Sequence, residues 1–240
     1  MPILGIMASQ NYPRFITANL VAQYDFSNAG SITLVSSAVS QINDLSGNGR
    51  HLTQTTAANR PTIATADQNG LDTGVFDGTN DYLNIANFAI SSTTAFSLYG
   101  VFKYGGTAEK VLFTFGEDSN GKLRTFFSNA SGNMENGIYN GGSNSVRSSN
   151  QTGYNAWAHI NAATGTTPFT ELFNGTRNAN IGFAGGSLTA ITNPYIGLGG
   201  ANFGYNANIR IGEVLFYSTE HNTTDQDIIM SYLKTKWGTP

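Results

Sequence analysis

The chain has 240 residues, a net charge of −3 and no cysteine, which excludes disulfides, zinc–thiolate sites, iron–sulfur clusters and thiol nucleophiles together. Only 11% of residues are charged, while 28 are glycine, 15 phenylalanine and 11 tyrosine; such a mixture suits strands joined by tight turns and argues against a helical bundle, a coiled coil or a nucleotide-binding α/β enzyme. Twelve basic against fifteen acidic residues leave no electrostatic footprint for nucleic acid or anionic lipid.

Residues 1–19 read as an N-terminal arm. Pro2 and Pro13 interrupt any regular element, no basic residue precedes the short apolar run as a secretory signal would require, and no stretch approaches the ~20 apolar residues of a membrane span. Ile3, Leu4, Ile6, Met7, Phe15 and Ile16 are too apolar for a solvated tail and suit a segment that docks on a partner; the alternative is a frayed terminus.

Residues 20–240 read as one β domain. Strands are expected at 20–26 and 39–45, the latter closed by the turn Ser46-Gly-Asn-Gly-Arg50. Short strands at 74–76 and 82–85 flank Asp77-Gly-Thr-Asn-Asp81. Over 95–104 the pattern alternates: Phe96, Leu98, Phe102 and Tyr104 on one face, Ser97, Tyr99, Val101 and Lys103 on the other. That predicts a half-buried strand. Val111, Phe113 and Phe115 repeat the alternation before a hairpin at 117–122 and a strand at 123–127. Residues 129–153 are mostly Gly, Asn and Ser. Strands resume at 156–162, 169–173, 194–198 and 209–217. The spacing of Ile229, Tyr232, Leu233 and Lys236 predicts a helix over 223–237. Thr223 and Gln226 are read as its capping box, Asp225 and Asp227 as its acidic first turn, and Gly238 as its stop.

Sugar binding needs aromatic faces beside planar polar groups, and two Gly- and Asn-rich regions supply both. The first contains Tyr139, Asn140, Asn144, Arg147 and Tyr154; the second contains Asn202, Phe203, Tyr205 and Asn206. Their aromatics could equally cover sheet edges or an oligomer interface. Calcium takes six to eight oxygens, many from backbone and Asn, and is the metal that would suit Asp44 with its Asn neighbours, or Asp77 with Asp81. The simpler reading is that Asp44 caps a loop and Asp77-Gly78 makes a hairpin turn. Glycoside hydrolysis needs two carboxyls about 5–9.5 Å apart. Glu171 and Glu213 each stand alone on a strand, so no catalytic residue is assigned. Glu213 is expected to share a face with Ile209, Ile211, Leu215 and Tyr217, as a structural acceptor for backbone N–H groups or a nearby arginine. His159 beside Trp157 reads as a packed core histidine, and Gly-x-Ser-x-Gly is absent.

Four segments, in order, resemble the laminin-G-like branch of the concanavalin A-like sandwiches: Phe76-Asp-Gly-Thr-Asn-Asp-Tyr-Leu83, Trp157-Ala-His-Ile160, Glu171-Leu-Phe-Asn-Gly-Thr176 and Ile211-Gly-Glu-Val-Leu-Phe-Tyr217. The resemblance implies an all-β fold: a two-sheet antiparallel jelly-roll sandwich with one C-terminal helix. A second likeness is narrower. Pro2-Ile-Leu-Gly-Ile-Met-Ala-Ser9, residues 39–54 and Ala58-Asn-Arg-Pro61 resemble virion or tail-associated proteins of tailed bacteriophages. That implies a surface-exposed virion component made in the host cytoplasm, with other virion subunits and a host-surface glycan as partners. No cofactor is expected to be required, calcium being the one metal that Asp44, Asp77 and Asp81 would suit. A homo-oligomer is compatible, though no heptads enforce one. Three functions stay open: a non-enzymatic adhesin, a structural decoration protein that docks through its arm, and a glycan hydrolase.

Overall fold

The computed structural model describes residues 12–13, 15–85, 95–105, 153–160, 170–177 and 208–240, with the backbone of residues 161, 169, 178 and 179 and of the strands Ala89–Ile90, Lys110–Thr114, Lys122–Ser128, Asn133–Tyr139, Ser143–Ser148, Ile191–Thr192 and Tyr195–Ile196. The first sheet runs Thr176–Ala179, Phe169–Phe173, Asn155–Asn161, Phe96–Tyr104 and Asn208–Tyr217, all antiparallel. Beyond Asn208–Tyr217, the strand Leu71–Asp77 pairs with its first half and Leu20–Asp25 with its second. The second sheet runs Ser143–Ser148, Asn133–Tyr139, Lys122–Ser128, Lys110–Thr114, Tyr195–Ile196, Leu83–Asn84, Leu52–Thr53, Ala38–Ile42 and Ile32–Val35. Thr62–Gln68 pairs with Leu71–Asp77 and touches Ala38, joining the layers.

Apolar side chains of both sheets meet between them. Leu98, Phe102, Trp157, Val214 and Phe216 of the first pack with Val39, Ile42, Leu52 and Leu83 of the second. Each fully buried aliphatic or phenyl side chain contributes about 1.5–3 kcal/mol of transfer free energy. The fold is therefore the expected all-β antiparallel sandwich with a C-terminal helix. One close approach fixes its corner: a β-carbon on Gly74 would stand 2.2 Å from the ring of Phe26, so only glycine fits there.

The helix covers much of the outer face of the first sheet. A second core forms there, where Ile229, Met230, Tyr232, Leu233 and Trp237 of the helix lie on Tyr99, Val101, Ala156, Ala158, Ile160, Leu172, Leu215 and Tyr217. Phe96–Tyr104 is accordingly buried on both faces over its first seven residues, and the half-buried expectation is corrected. Alternation shows that both faces carry apolar groups, but not that a helix covers one of them.

The helix spans Thr223–Trp237 as predicted, with a different cap. Asn222 is the N-cap: its side-chain oxygen accepts from the Asp225 amide at 3.0 Å. Gln226 does not close a box on Thr223 but donates to the His221 carbonyl at 2.8 Å. Asn and Thr both serve as N-caps, and with Asn222 one position earlier the helix takes it.

Tyr12, Phe15 and Ile16 also join the second core. Phe15 lies 4.7 Å from the Tyr232 ring, and the Tyr217 hydroxyl donates to the Ile16 carbonyl at 2.8 Å. Phe15 and Ile16, read as partner-docking residues, are thus half-buried against the chain's own second core. Ile3, Leu4, Ile6 and Met7 lie outside the described residues.

Candidate functional site

Asn140, Asn202, Phe203, Tyr205 and Asn206 lie outside the described residues. Tyr139, Asn144 and Arg147 fall on two paired strands whose register is defined: Tyr139 opposite Ser143, Ile138 opposite Asn144, Glu135 opposite Arg147. This hairpin belongs to the second sheet. Tyr154 does not join it; it leads into Asn155–Asn161 of the first sheet, on the helix-bearing face.

Tyr154 is only 6% exposed. Its hydroxyl donates to Asp67 and contacts Thr73 Oγ1 at 3.0 Å, while Lys103 Nζ sits 5.7 Å from the ring centroid. A ring so covered cannot stack on a sugar, which corrects its assignment as a glycan platform. It belongs to a polar net instead. Arg210 Nη1 donates to Asp67 Oδ1 at 2.6 Å and Thr73 Oγ1 to Asp67 Oδ2 at 2.8 Å. Burial pushes the Asp67 carboxyl up, but the bonds from Arg210, Tyr154 and Thr73 outweigh it and hold the pKa at about 2.

Glu213 was expected to share a face with Ile209, Ile211, Leu215 and Tyr217. The structure divides that set. A bulge between Ile211 and Glu213 shifts the register against Phe96–Tyr104, and one extra residue reverses side-chain parity. Ile209 and Ile211 face the inter-sheet core, whereas Leu215 and Tyr217 face the helix, as does Glu213. Its fully buried carboxylate accepts from Gln23 Nε2 at 2.9 Å, Tyr232 Oη at 3.0 Å, Lys236 Nζ at 2.8 Å and Trp237 Nε1 at 3.2 Å. Lys236 also reaches Asp25 Oδ2 at 2.5 Å. Burial raises the Glu213 pKa against the pull of Lys236, while the two carboxylates outweigh burial and raise that of Lys236. The donors are four side chains, not the backbone amides or arginine expected of a structural acceptor. Lys236 could have been found in the sequence: a lysine on the apolar stripe of a helix needs a buried anion.

The calcium candidates serve as turn acceptors. Asp44 accepts from the amides of Gln23, Ser46 and Arg50 and from the Ser46 hydroxyl. Asp77 accepts from the Thr79 and Asn80 amides, and Asp81 from the Asp77 amide at 3.0 Å. Burial, with the nearby Asp77 charge, raises the Asp81 pKa to about 6 despite that amide. Among the described residues no three His, Asp or Glu side chains gather at metal-ligand spacing.

His159 and Trp157 face the inter-sheet space. The imidazole stacks on Phe96, centroids 5.3 Å apart and planes within 6°, and is paired across the strands with Glu171. Burial pushes its pKa down to about 3, so it is neutral. His159 and Glu171 are both sealed from solvent.

No protein-family profile and no curated protein matches the sequence. Solved structures do match in fold. Domain 4 of AbnA, an extracellular GH43 arabinanase from Geobacillus stearothermophilus in complex with arabinotriose, is 14% identical with a TM-score of 0.64; the match covers 88% of this chain and 98% of that one. The botulinum neurotoxin serotype D binding domain is 12% identical with a TM-score of 0.67, over 94% of this chain and 55% of that one. A Trypanosoma rangeli sialidase in complex with sialic acid is 11% identical with a TM-score of 0.65, over 96% and 36%. The chain spans about a third to a half of these last two proteins. At these identities the likeness establishes the β-sandwich fold. No helix among the described residues is long and apolar enough to cross a membrane.

Proposed function

We propose that this chain is a non-enzymatic carbohydrate-binding sandwich, carried on a bacteriophage particle, that holds a host-surface glycan through the hairpin around Tyr139–Arg147 and through Asn202–Asn206. The supporting observation is the match along nearly the whole of both chains to a single domain solved with arabinotriose. The two Asn-, Gly- and Tyr-rich regions supply the chemistry such a site needs. The virion setting rests on the likeness of residues 2–9, 39–54 and 58–61 to phage tail-associated proteins.

The test is a binding screen of purified protein against bacterial surface glycans, with calcium and with a chelator, alongside an assay for released reducing ends. Saturable binding without release supports the reading. Loss of binding in chelator would assign calcium to Asp44 or to Asp77 and Asp81. Released ends would favour a hydrolase, the class of the sialidase neighbour. Folded protein that binds no glycan would favour a decoration protein docking through Ile3, Leu4, Ile6 and Met7.

A further inference from the structure

On the helix-bearing face of the first sheet, Arg210 and Lys103 stand directly opposite each other on neighbouring strands. Tyr154 precedes Asn155, which pairs with Phe102, so it comes level with Lys103 on the next strand. Two cations and a tyrosine thus form one row across three strands, and like charges so placed repel.

Among the described residues, one carboxylate, that of Asp67, answers the two charges. Its Oδ1 takes Arg210, and its Oδ2 takes Tyr154 and Thr73. Lys103 is held over the Tyr154 ring at 5.7 Å. A ring face attracts an ammonium without neutralising it. The platform is nonetheless rigid: Tyr154 is buried and tied at its hydroxyl, and Thr73 is fully buried. The cations themselves are within reach of solvent, with the Arg210 side chain 39% exposed and Lys103 partly exposed. In a chain of net charge −3, the described residues of this row carry two positive charges against one negative.

We propose that Lys103 and Arg210 receive the acid group, carboxylate or sulfate, of an anionic saccharide. The ammonium supplies the charge that Asp67 leaves unanswered, and the guanidinium N–H groups that Asp67 does not take can donate to the same oxyanion. The choice of a saccharide rests on the glycan-binding function proposed above; the anionic character follows from the row itself. The site lies on the opposite sheet from the hairpin Asn133–Tyr139 and Ser143–Ser148, so it is separate from the rim residues there.

The test is calorimetric binding of three oligosaccharides of equal length: one carrying uronic acid, one carrying sulfate and one neutral. Wild type is compared with Lys103→Gln and Lys103→Arg. The acidic forms should bind about tenfold tighter than the neutral one, with the preference shrinking as salt is raised. Lys103→Gln should erase the preference, Lys103→Arg should keep it, and Lys103→Gln, which relieves the like-charge pair, should not lower the melting temperature. The carboxylate and sulfate arms show which acid group fits. Equal affinity for neutral and acidic forms, or a preference that survives Lys103→Gln, would overturn this site and leave the glycan-binding function standing. Binding of none of the three would overturn both.

Discussion

Gly212 and Trp237 set the distance between helix and sheet: a β-carbon on Gly212 would stand 2.8 Å from three atoms of the indole. Gly212 is also the bulge residue whose insertion turns Glu213 toward the helix. One glycine therefore admits the ring and aims the carboxylate that the ring's Nε1 donates to. Gly212→Ala should destabilise the fold by about 1–3 kcal/mol through overpacking, and pairing it with Trp237→Leu should recover part of the loss. Thermal melts of the two variants check this; a single variant as stable as wild type would show that the helix seat has slack.

Lys236 lies between Asp25 and Glu213 under the helix. Lys236→Met leaves two carboxylates buried beside each other and should cost about 3–5 kcal/mol, because removing one partner strands the other charges. Adding Glu213→Gln should restore part of it. A double-mutant cycle in urea gives the coupling directly, and additive losses would mean that the two groups act independently.

Much of this was legible from pattern. The strand 96–104, the closing strand and the helix over 223–237 follow from alternation and helical spacing, which are local. The face assignment of Glu213 failed because nothing local marks Gly212 as a bulge. The same segment reads as continuous alternation until the neighbouring strand's register is known. Tyr154 was misread for a related reason: an aromatic among Gly and Asn looks like a loop platform, and its burial depends on Asp67 and Thr73, more than 80 residues away in the chain. Asn222 was missed as the cap because adjacent Asn and Thr are both competent.

Phe15 ties the N-terminal segment to Tyr232. Phe15→Ala should cost about 1–2 kcal/mol, less than a fully buried phenylalanine because the site is only half-buried. Removing residues 1–19 should likewise lower the melting temperature. A docking role for the arm is therefore best tested with Phe15 and Ile16 retained and Ile3, Leu4, Ile6 and Met7 replaced by serine. An unchanged melt after Phe15→Ala would contradict the packing role.

His159 and Asp81 give opposite pH dependences. Folded His159 stays neutral down to about 3, while the unfolded chain takes up that proton below its ordinary value near 6.5. Its contribution to stability falls as pH drops through that window, and His159→Phe should flatten the acid limb. Folded Asp81 keeps its proton up to about 6, whereas the unfolded carboxyl loses it near 3.9. Ionised Asp81 therefore costs stability above pH 6, a cost relieved as pH falls toward 4. Asp81→Asn should stabilise the protein near neutrality by about 1 kcal/mol, screening by solvent reducing the full shift, and change little near pH 4. Urea titrations at both ends of the window check the signs; a stabilised acid limb in His159→Gln alone, with His159→Phe unchanged, would contradict the burial argument.

The central claim is that this sandwich binds glycan through the hairpin around Tyr139–Arg147 and through Asn202–Asn206. The most direct measurement is equilibrium binding to purified host-surface glycan by wild type and by a variant with Tyr139, Phe203 and Tyr205 changed to alanine. Saturable binding by wild type, lost by at least about tenfold in a variant that melts normally, is the predicted result, since each stacked aromatic contributes on the order of 1 kcal/mol. Equal binding by both proteins, or none by folded wild type, would contradict it.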